Sequence, residues 1–490
     1  MKTEMTYPEL PTMPTWPDPL EADRADHTGL RRRMLTGTWY ADIYDELERH
    51  ISGARQVAWG DPDMSSNIFR ETTKALTALY QRPPTVENPE AMEGSTKGFL
   101  GNDGILARAG LWAIMKRVQF FTIGLRECFL RVDISGGKIS YRIVTPDVVT
   151  AQASPHDPQV PIMIKEMRLR YNELTKKKEW TLDHLDISDP ENPIYEVLLI
   201  QNQNGIETYM DATDQFLGGS MSGANYPYRD MDGVPFLPYS IYHAELTGQL
   251  FDPFYNAELV KGSLSATVFY TYFAHIMRDC AHPQRYIFNA RLSGISSTDG
   301  KTPNTAHIDS DPASIMVFEP VAEVGEGQTP GQFGQFQPGG DVEKTLTAVT
   351  TYERRLATLA GINPADVQKM SGDPRSGYAI AISRSSLREA QAEYTPSFRL
   401  GDLATIEITA KLCNRYIDTK YPESGYEINY YELPLSPEEQ KAMREDINNK
   451  IDRGLMSAIQ AVMVMYPNYD RDDAERYLRQ VQLDNLKLQM

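Results

Sequence analysis

The segment GDPRSG, Gly372 to Gly377, has the glycine separation of a phosphate-binding loop. Such a loop needs Lys and then Ser or Thr directly after its second glycine, so that an ammonium reaches the phosphates and a hydroxyl reaches magnesium. Tyr378 and Ala379 stand there instead, and the segment follows a helical pattern where a strand is required. Three soft donors, His275, Cys280 and His282, match no standard zinc spacing and lack a second Cys or His pair. Asp230 and Asp232 before Gly233 resemble part of a calcium loop without its third acid or closing Glu. GGSMSG, around Ser220 and Ser222, lacks the spacing of a nucleophile elbow. The eight histidines are scattered. Spacing therefore nominates no catalytic, cofactor-binding or metal-ligating residue, and no cofactor is expected. The absence of a motif is weak evidence against an enzyme, and a cytosolic α+β hydrolase or transferase stays open, because catalytic groups meet in space and not in sequence. In that case the Gly372–Gly377 loop would contact a phosphate ligand through Arg375.

Composition narrows the classes. A chain of 490 residues exceeds what one hydrophobic core fills, and 41% hydrophobic with 24% charged residues is ordinary for a folded protein. A net charge of -18 argues against gripping nucleic acid through clustered Lys and Arg, yet it suits a surface past which a polyanion slides without sticking. The cysteines, Cys128, Cys280 and Cys413, are odd in number and far apart, which predicts buried thiols in a reducing compartment and no disulfide framework. The N-terminus has acids and prolines where a signal peptide would have a basic start and an apolar run. The most apolar window, Leu264 to Met277, is short of the roughly 20 residues that cross a bilayer, so no membrane is expected.

The elements that would position any site follow in order. Residues 1 to 30 read as a Pro- and acid-rich arm, and Arg31 to Arg33 as an ion-paired face. SNIFRETTKALTALY is a helix with Ile68, Leu76 and Leu79 near one face, and RPP stops it. GILARAGLWAIMKRVQFFTIG reads as a second helix. A hairpin turning at SGG follows, and then more strands, so residues 31 to 250 are expected to form an α+β domain with an antiparallel meander. From Asp252 to Ala281 a long helix places Val260, Leu264, Val268, Tyr272 and Ile276 on one ridge, with Phe269, Phe273 and Met277 on the next. Residues 284 to 340 change to short strands, a polar loop and a Gly/Gln/Pro run containing Phe333 and Phe336. Asp341 can cap a returning helix with Leu346, Val349, Leu356 and Leu359, and a very long helix then carries a kink at Thr395-Pro396. After the short strand YEINYYELP, Ser436, Pro437 and Glu439 form a helix-start signal for a C-terminal helical unit from Pro434.

This order resembles the portal proteins of tailed bacteriophages: α+β wing, first stem helix, clip, second stem helix, tunnel loop, kinked long wing helix and helical crown. Three stretches carry the likeness. CFLRVDISGGKISYRIVTPDVVTAQ is similar to the wing hairpin. FGQFQPGGDVEKTLTAVTTYERRLATLAGINPADVQKMSGDPRSGYAIAI is similar to the run from clip through stem to tunnel loop, and KIDRGLMSAIQAVMVMYPNYDRDDAERYLRQVQ to a crown. The resemblance implies boundaries of 1–30 for an arm, 31–250 wing, 251–283 first stem helix, 284–340 clip, 341–361 second stem helix, 362–433 tunnel loop and long helix, and 434–490 crown.

It also implies a homo-oligomeric ring, dodecameric in that family, at one capsid vertex of the virion and assembled in the host cytoplasm. Double-stranded DNA would pass through the channel. A terminase and later a head-to-tail adaptor would dock at the clip, and the major capsid or scaffolding protein would hold the ring. Lys369, Ser371, Asp373, Arg375 and Ser376 then lie on the tunnel loop. Leu264, Val268, Phe269, Tyr272, Phe273 and Ile276 are expected at the stem and subunit interface, and Phe333 and Phe336 at the clip docking surface or packed within the clip.

Overall fold

The computed structural model of the chain describes residues 13–50, 61–91, 95–101, 103–203, 206–252, 257–281, 284–288, 290–292, 318–320, 332–336, 341–362, 377–417, 419–431, 437–465 and 471–488. Its class is α+β, as expected. The first element departs from the sequence reading. Helix α1 (Pro19–Thr36) runs across the expected boundary between arm and wing. Asp18 accepts a hydrogen bond from the Leu20 amide at 2.8 Å, and Pro19 opens the helix, so residues that read as a loop form its start. Trp16 is buried and its indole N–H donates to the Asp147 carbonyl at 3.2 Å. The buried Arg24 donates to the Pro146 carbonyl at 2.8 Å. Residues 13 to 30 are thereby anchored in the domain, and residues 1 to 12 lie outside the described residues. Arg32 pairs with Asp147 at 2.8 Å and Arg33 with Asp42 at 2.7 Å, the ion-paired face read from the sequence.

Helices α2 (Tyr40–His50) and α3 (Ile68–Leu76) and the short strand β1 (Thr85–Glu87) follow. The second expected helix is divided: a single turn at Ile105–Arg108 ends at Gly110, whose φ of 73° breaks the run, and α4 (Leu111–Leu125) starts afresh. Strands β2 (Glu127–Ser135) and β3 (Lys138–Val144) form the expected hairpin. Gly136 and Gly137 at its turn have φ of 55° and 74°, the left-handed pair that matches strand twist. The meander comprises β4 (Val149–Ala153), β5 (Pro161–Asn172), β6 (Lys177–Asp186), β7 (Ile194–Gln203) and β8 (Ile206–Asp211), all antiparallel in chain order. Strand β9 (Tyr239–His243) returns to the first sheet, whose order is β3-β2-β9.

One arginine joins the two sheets. Arg131, on β2, is 2% exposed. Its guanidinium reaches Glu166 on β5 at 3.3 Å, Asp183 on β6 at 3.1 Å, and the hydroxyls of Tyr239, Tyr195 and Tyr228 at 2.9, 2.9 and 3.1 Å. Its Nε donates to Asp133 at 2.9 Å. Arg142 and Arg170 balance the carboxylates by pairing with Glu166 and Asp183. Burial pushes the Glu166 carboxyl up, but the hydrogen bond and charge of Arg142, with Arg131 behind, outweigh it and hold the group down at about 2.

The long helices follow: α5 (Ala257–Ala281), α6 (Val342–Leu359) and α7 (Gly377–Tyr416). Between α5 and α6, β10 (Gln284–Phe288) pairs with β13 (Gln332–Phe336), and β11 (Ala290–Leu292) with β12 (Phe318–Pro320). The Gly/Gln/Pro run thus contains a strand, because pairing with β10 supplies backbone hydrogen bonds that composition alone does not reveal. Asp341 caps α6 as expected, accepting from the Lys344 amide at 3.1 Å. Helix α7 continues through Pro396 for 40 residues. Strand β14 (Glu427–Asn429) pairs with β1, and the chain ends in α8 (Pro437–Asp452), α9 (Ala458–Met465) and α10 (Arg471–Leu488). Ser436 lies outside the described residues. Cys128 and Cys413 are buried, whereas Cys280 is only half-buried, against the expectation of three buried thiols.

Helix α7 is tied to the first sheet by a second buried cluster. Asp402 accepts from Tyr430 at 2.6 Å, Tyr80 at 2.8 Å and Tyr242 at 3.1 Å. Burial pushes its carboxyl up to about 7, although these hydroxyls pull the other way. Between about pH 4 and 7 the folded protein holds a proton that the unfolded chain releases, so stability falls as pH rises through this window. The buried Glu127 carboxyl, also raised by burial to about 7, adds to the same slope. Asp402→Asn is expected to flatten the urea-unfolding free energy between pH 4 and 7 by a few kcal/mol, on the order of the shift. An unchanged slope would show that Asp402 stays ionised.

Candidate functional site

The candidate site is the paired helices α5 and α6 and the segments that follow each. The face of α5 that packs deepest is small and polar: Ser263, Thr267 and Thr271, four residues apart, are buried, and His275 continues the row. The Thr267 and Thr271 hydroxyls donate to the carbonyls one turn back, each at 3.0 Å, so they are satisfied inside the helix. The same hydroxyl row meets the chain before α3. The Asp63 amide donates to Thr271 Oγ1 at 3.0 Å, the Phe69 amide to Ser263 Oγ at 3.3 Å, and Thr267 Oγ1 donates to the Ser66 carbonyl at 3.2 Å. Ser66 in turn donates to the buried Glu353 of α6, which links three segments.

The two long helices approach closely at Gly262. A Cβ there would lie 2.3 Å from Leu356 Cδ2, so this position has no room for a side chain. Further along, Phe269 packs edge-on against Tyr352 of α6, with centroids 5.3 Å apart.

The expected interface residues divide accordingly. Leu264 and Val268 are buried within the chain's own core, Val268 against Leu47 of α2. Both are covered by the chain's own residues. Tyr272, Phe273 and Ile276 are half-buried, Phe269 is 37% exposed and Met277 45% exposed. What remains open is an apolar stripe on the C-terminal half of α5. On α6, Val349 and Leu356 are buried, whereas Leu346 and Leu359 are exposed.

Helix α6 closes at Gly361, with φ of 71° and its amide bonded to the Thr358 carbonyl. Lys369, Ser371, Asp373, Arg375 and Ser376 follow and lie outside the described residues, as does Gly372. Phe333 and Phe336 are placed by backbone register alone, opposite Ile287 and Gln284 on β10. His275 and Cys280 lie on α5 and His282 lies outside the described residues; among the described residues no group of His, Cys, Asp and Glu could hold a metal ion. Asp230 accepts from the Asp232 and Val234 amides at 3.0 and 2.8 Å, which makes it a turn-forming acid. Ser222 Oγ accepts from the Tyr195 amide at 3.1 Å, a loop role. Among the described residues no helix is long and apolar enough to cross a membrane.

The sequence reading missed the polar row because the apolar ridges beside it are stronger. Its signal was present as Ser or Thr at every fourth position. Neither a protein-family model nor a curated relative matches the chain.

Two substitutions separate packing within the subunit from association. Gly262→Ala is expected to lower unfolding stability by about 1–3 kcal/mol through overpacking against Leu356. Phe269→Glu should cost less than about 1.5 kcal/mol, the worth of its ring contact, and would abolish any association that uses the open stripe, as read by light scattering. Unchanged association in Phe269→Glu would remove the open stripe from any interface.

Proposed function

We propose that this chain is the subunit of a portal ring, a DNA conduit at one vertex of a tailed-phage capsid. The observation that carries the reading is the arrangement around α5 and α6. A helix of 25 residues leads into a small insertion of paired strands, a second helix returns along it, and a segment bearing Arg375 joins that helix to the 40-residue α7. The open stripe of Phe269, Phe273 and Met277 supports association, since a lone subunit leaves it in water. In the ring, each stripe meets a neighbouring subunit.

The segment from Lys369 to Gly377 lines the channel. Arg375, repeated once per subunit, makes a weak contact to passing phosphates, and the net charge of -18 keeps duplex DNA from being retained. The paired strands between α5 and α6 form the clip, where a terminase docks during packaging and an adaptor afterwards. Phe333 and Phe336 belong to that surface. The ring sits in the virion against the capsid or scaffolding protein, and the chain performs no covalent chemistry.

Light scattering on the purified full-length chain tests this reading. A single species many times the 55.4 kDa subunit mass is expected. A compact monomer that binds phosphate ligands, and loses them in Arg375→Ala, would overturn it in favour of the enzyme.

A further inference from the structure

A second feature lies away from the paired helices, where α7 passes β14. A groove of about 560 Å³ runs along one face of α7, between Arg388, Thr395, Pro396 and Arg399 on the helix and Asn429 and Tyr430 on the other wall. Among the described residues, two arginines line it and no carboxylate does. In a chain with 67 acids and 49 basic residues, a groove of that composition is not the average surface. Arg399 is exposed and forms no ion pair among the described residues, so its five donors face the groove and solvent.

The described acids nearby, Glu389, Glu393 and Asp402, are not part of its lining. Glu393 lines a separate cavity with Arg31 and Arg126. Asp402 lies behind the groove wall, buried and engaged by the Tyr430 hydroxyl at 2.6 Å. Glu389 is exposed beside Arg388, one position around the helix.

The geometry points to a phosphate-binding groove that holds a stretch of nucleic-acid backbone, with Arg388 and Arg399 each contacting a phosphate. Eleven residues of α-helix separate the two arginines by about 16 Å, more than one phosphate spans and close to the reach of a short phosphodiester run. Thr395 and Asn429 lie between them on the two walls and supply polar groups for the same backbone. Bases need not be read, so the contact is sequence-independent. This inference shares the DNA partner of the conduit reading but not its ring, and the site is distinct from the Lys369–Gly377 segment.

The test is fluorescence anisotropy of a labelled duplex with the full-length chain over a range of salt concentrations, comparing wild type, Arg399→Gln and Arg375→Ala. Arg399→Gln is expected to weaken binding at low salt several-fold for all sequences. It should also reduce the slope of log affinity against log salt by about one for each engaged groove. Thermal unfolding of Arg399→Gln should match wild type, since the side chain is exposed. An unchanged affinity and slope in Arg399→Gln would overturn the groove. So would displacement of the duplex by inorganic phosphate at constant ionic strength, which would make free phosphate the ligand. Rings that form normally while Arg399→Gln has no effect would sink the groove alone. A monomer whose DNA binding still depends on Arg399 would sink the ring alone.

Discussion

The packing of the two sheets depends on a buried cation. Arg131 has no exposed route to water, so every donor of its guanidinium must find an acceptor inside the protein, and those acceptors come from β2, β5, β6, β7, β9 and the loop carrying Tyr228. Removing its partners one at a time would leave an uncompensated buried charge, a loss of about 3–5 kcal/mol in comparable pairs. Such a cluster contributes less to net stability than to geometry. The two sheets can pack in one relative register only, the one that brings Glu166 and Asp183 under the same guanidinium.

The Asp402 cluster does for α7 what Arg131 does for the sheets. It holds the middle of a 40-residue helix against β9 through Tyr242 and against the α3–β1 connection through Tyr80. Ser240 and Thr405 extend it with a hydroxyl pair 2.6 Å apart. The beginning of α7, which follows Arg375 in sequence, is thus carried on a helix whose far half is held against the first sheet. The pair α5 and α6 is joined differently, by close approach at Gly262 and by hydroxyls that ask for little space. A long helix packed through a thin polar row keeps its larger apolar residues free for a further neighbour.

Much of this architecture was legible in the sequence. The hairpin at Gly136-Gly137, the central strands β5, β6 and β7 of the meander, the long α5 and the cap at Asp341 all follow from local rules, since turn glycines, alternation and capping act over a few residues. The helical start at Pro19 was hidden because Pro and Asp signal loops and helix starts alike, and only the burial of Trp16 decides between them. Strand β13 was hidden because its partners lie 44 to 52 residues earlier and composition spoke for a loop. The Arg131 cluster could not have been read, because its partners are 35, 52 and 108 residues away and no spacing rule connects them. That the chain itself buries Leu264 and Val268 was hidden for a related reason. Periodicity identifies an apolar face but not whether the chain itself or a neighbour covers it.

The central claim is that many copies close around a channel. Electron microscopy of the purified full-length chain in negative stain tests it most directly. Closed rings with a central hole wide enough for duplex DNA are the expected result, and uniform compact particles without a hole would contradict the account.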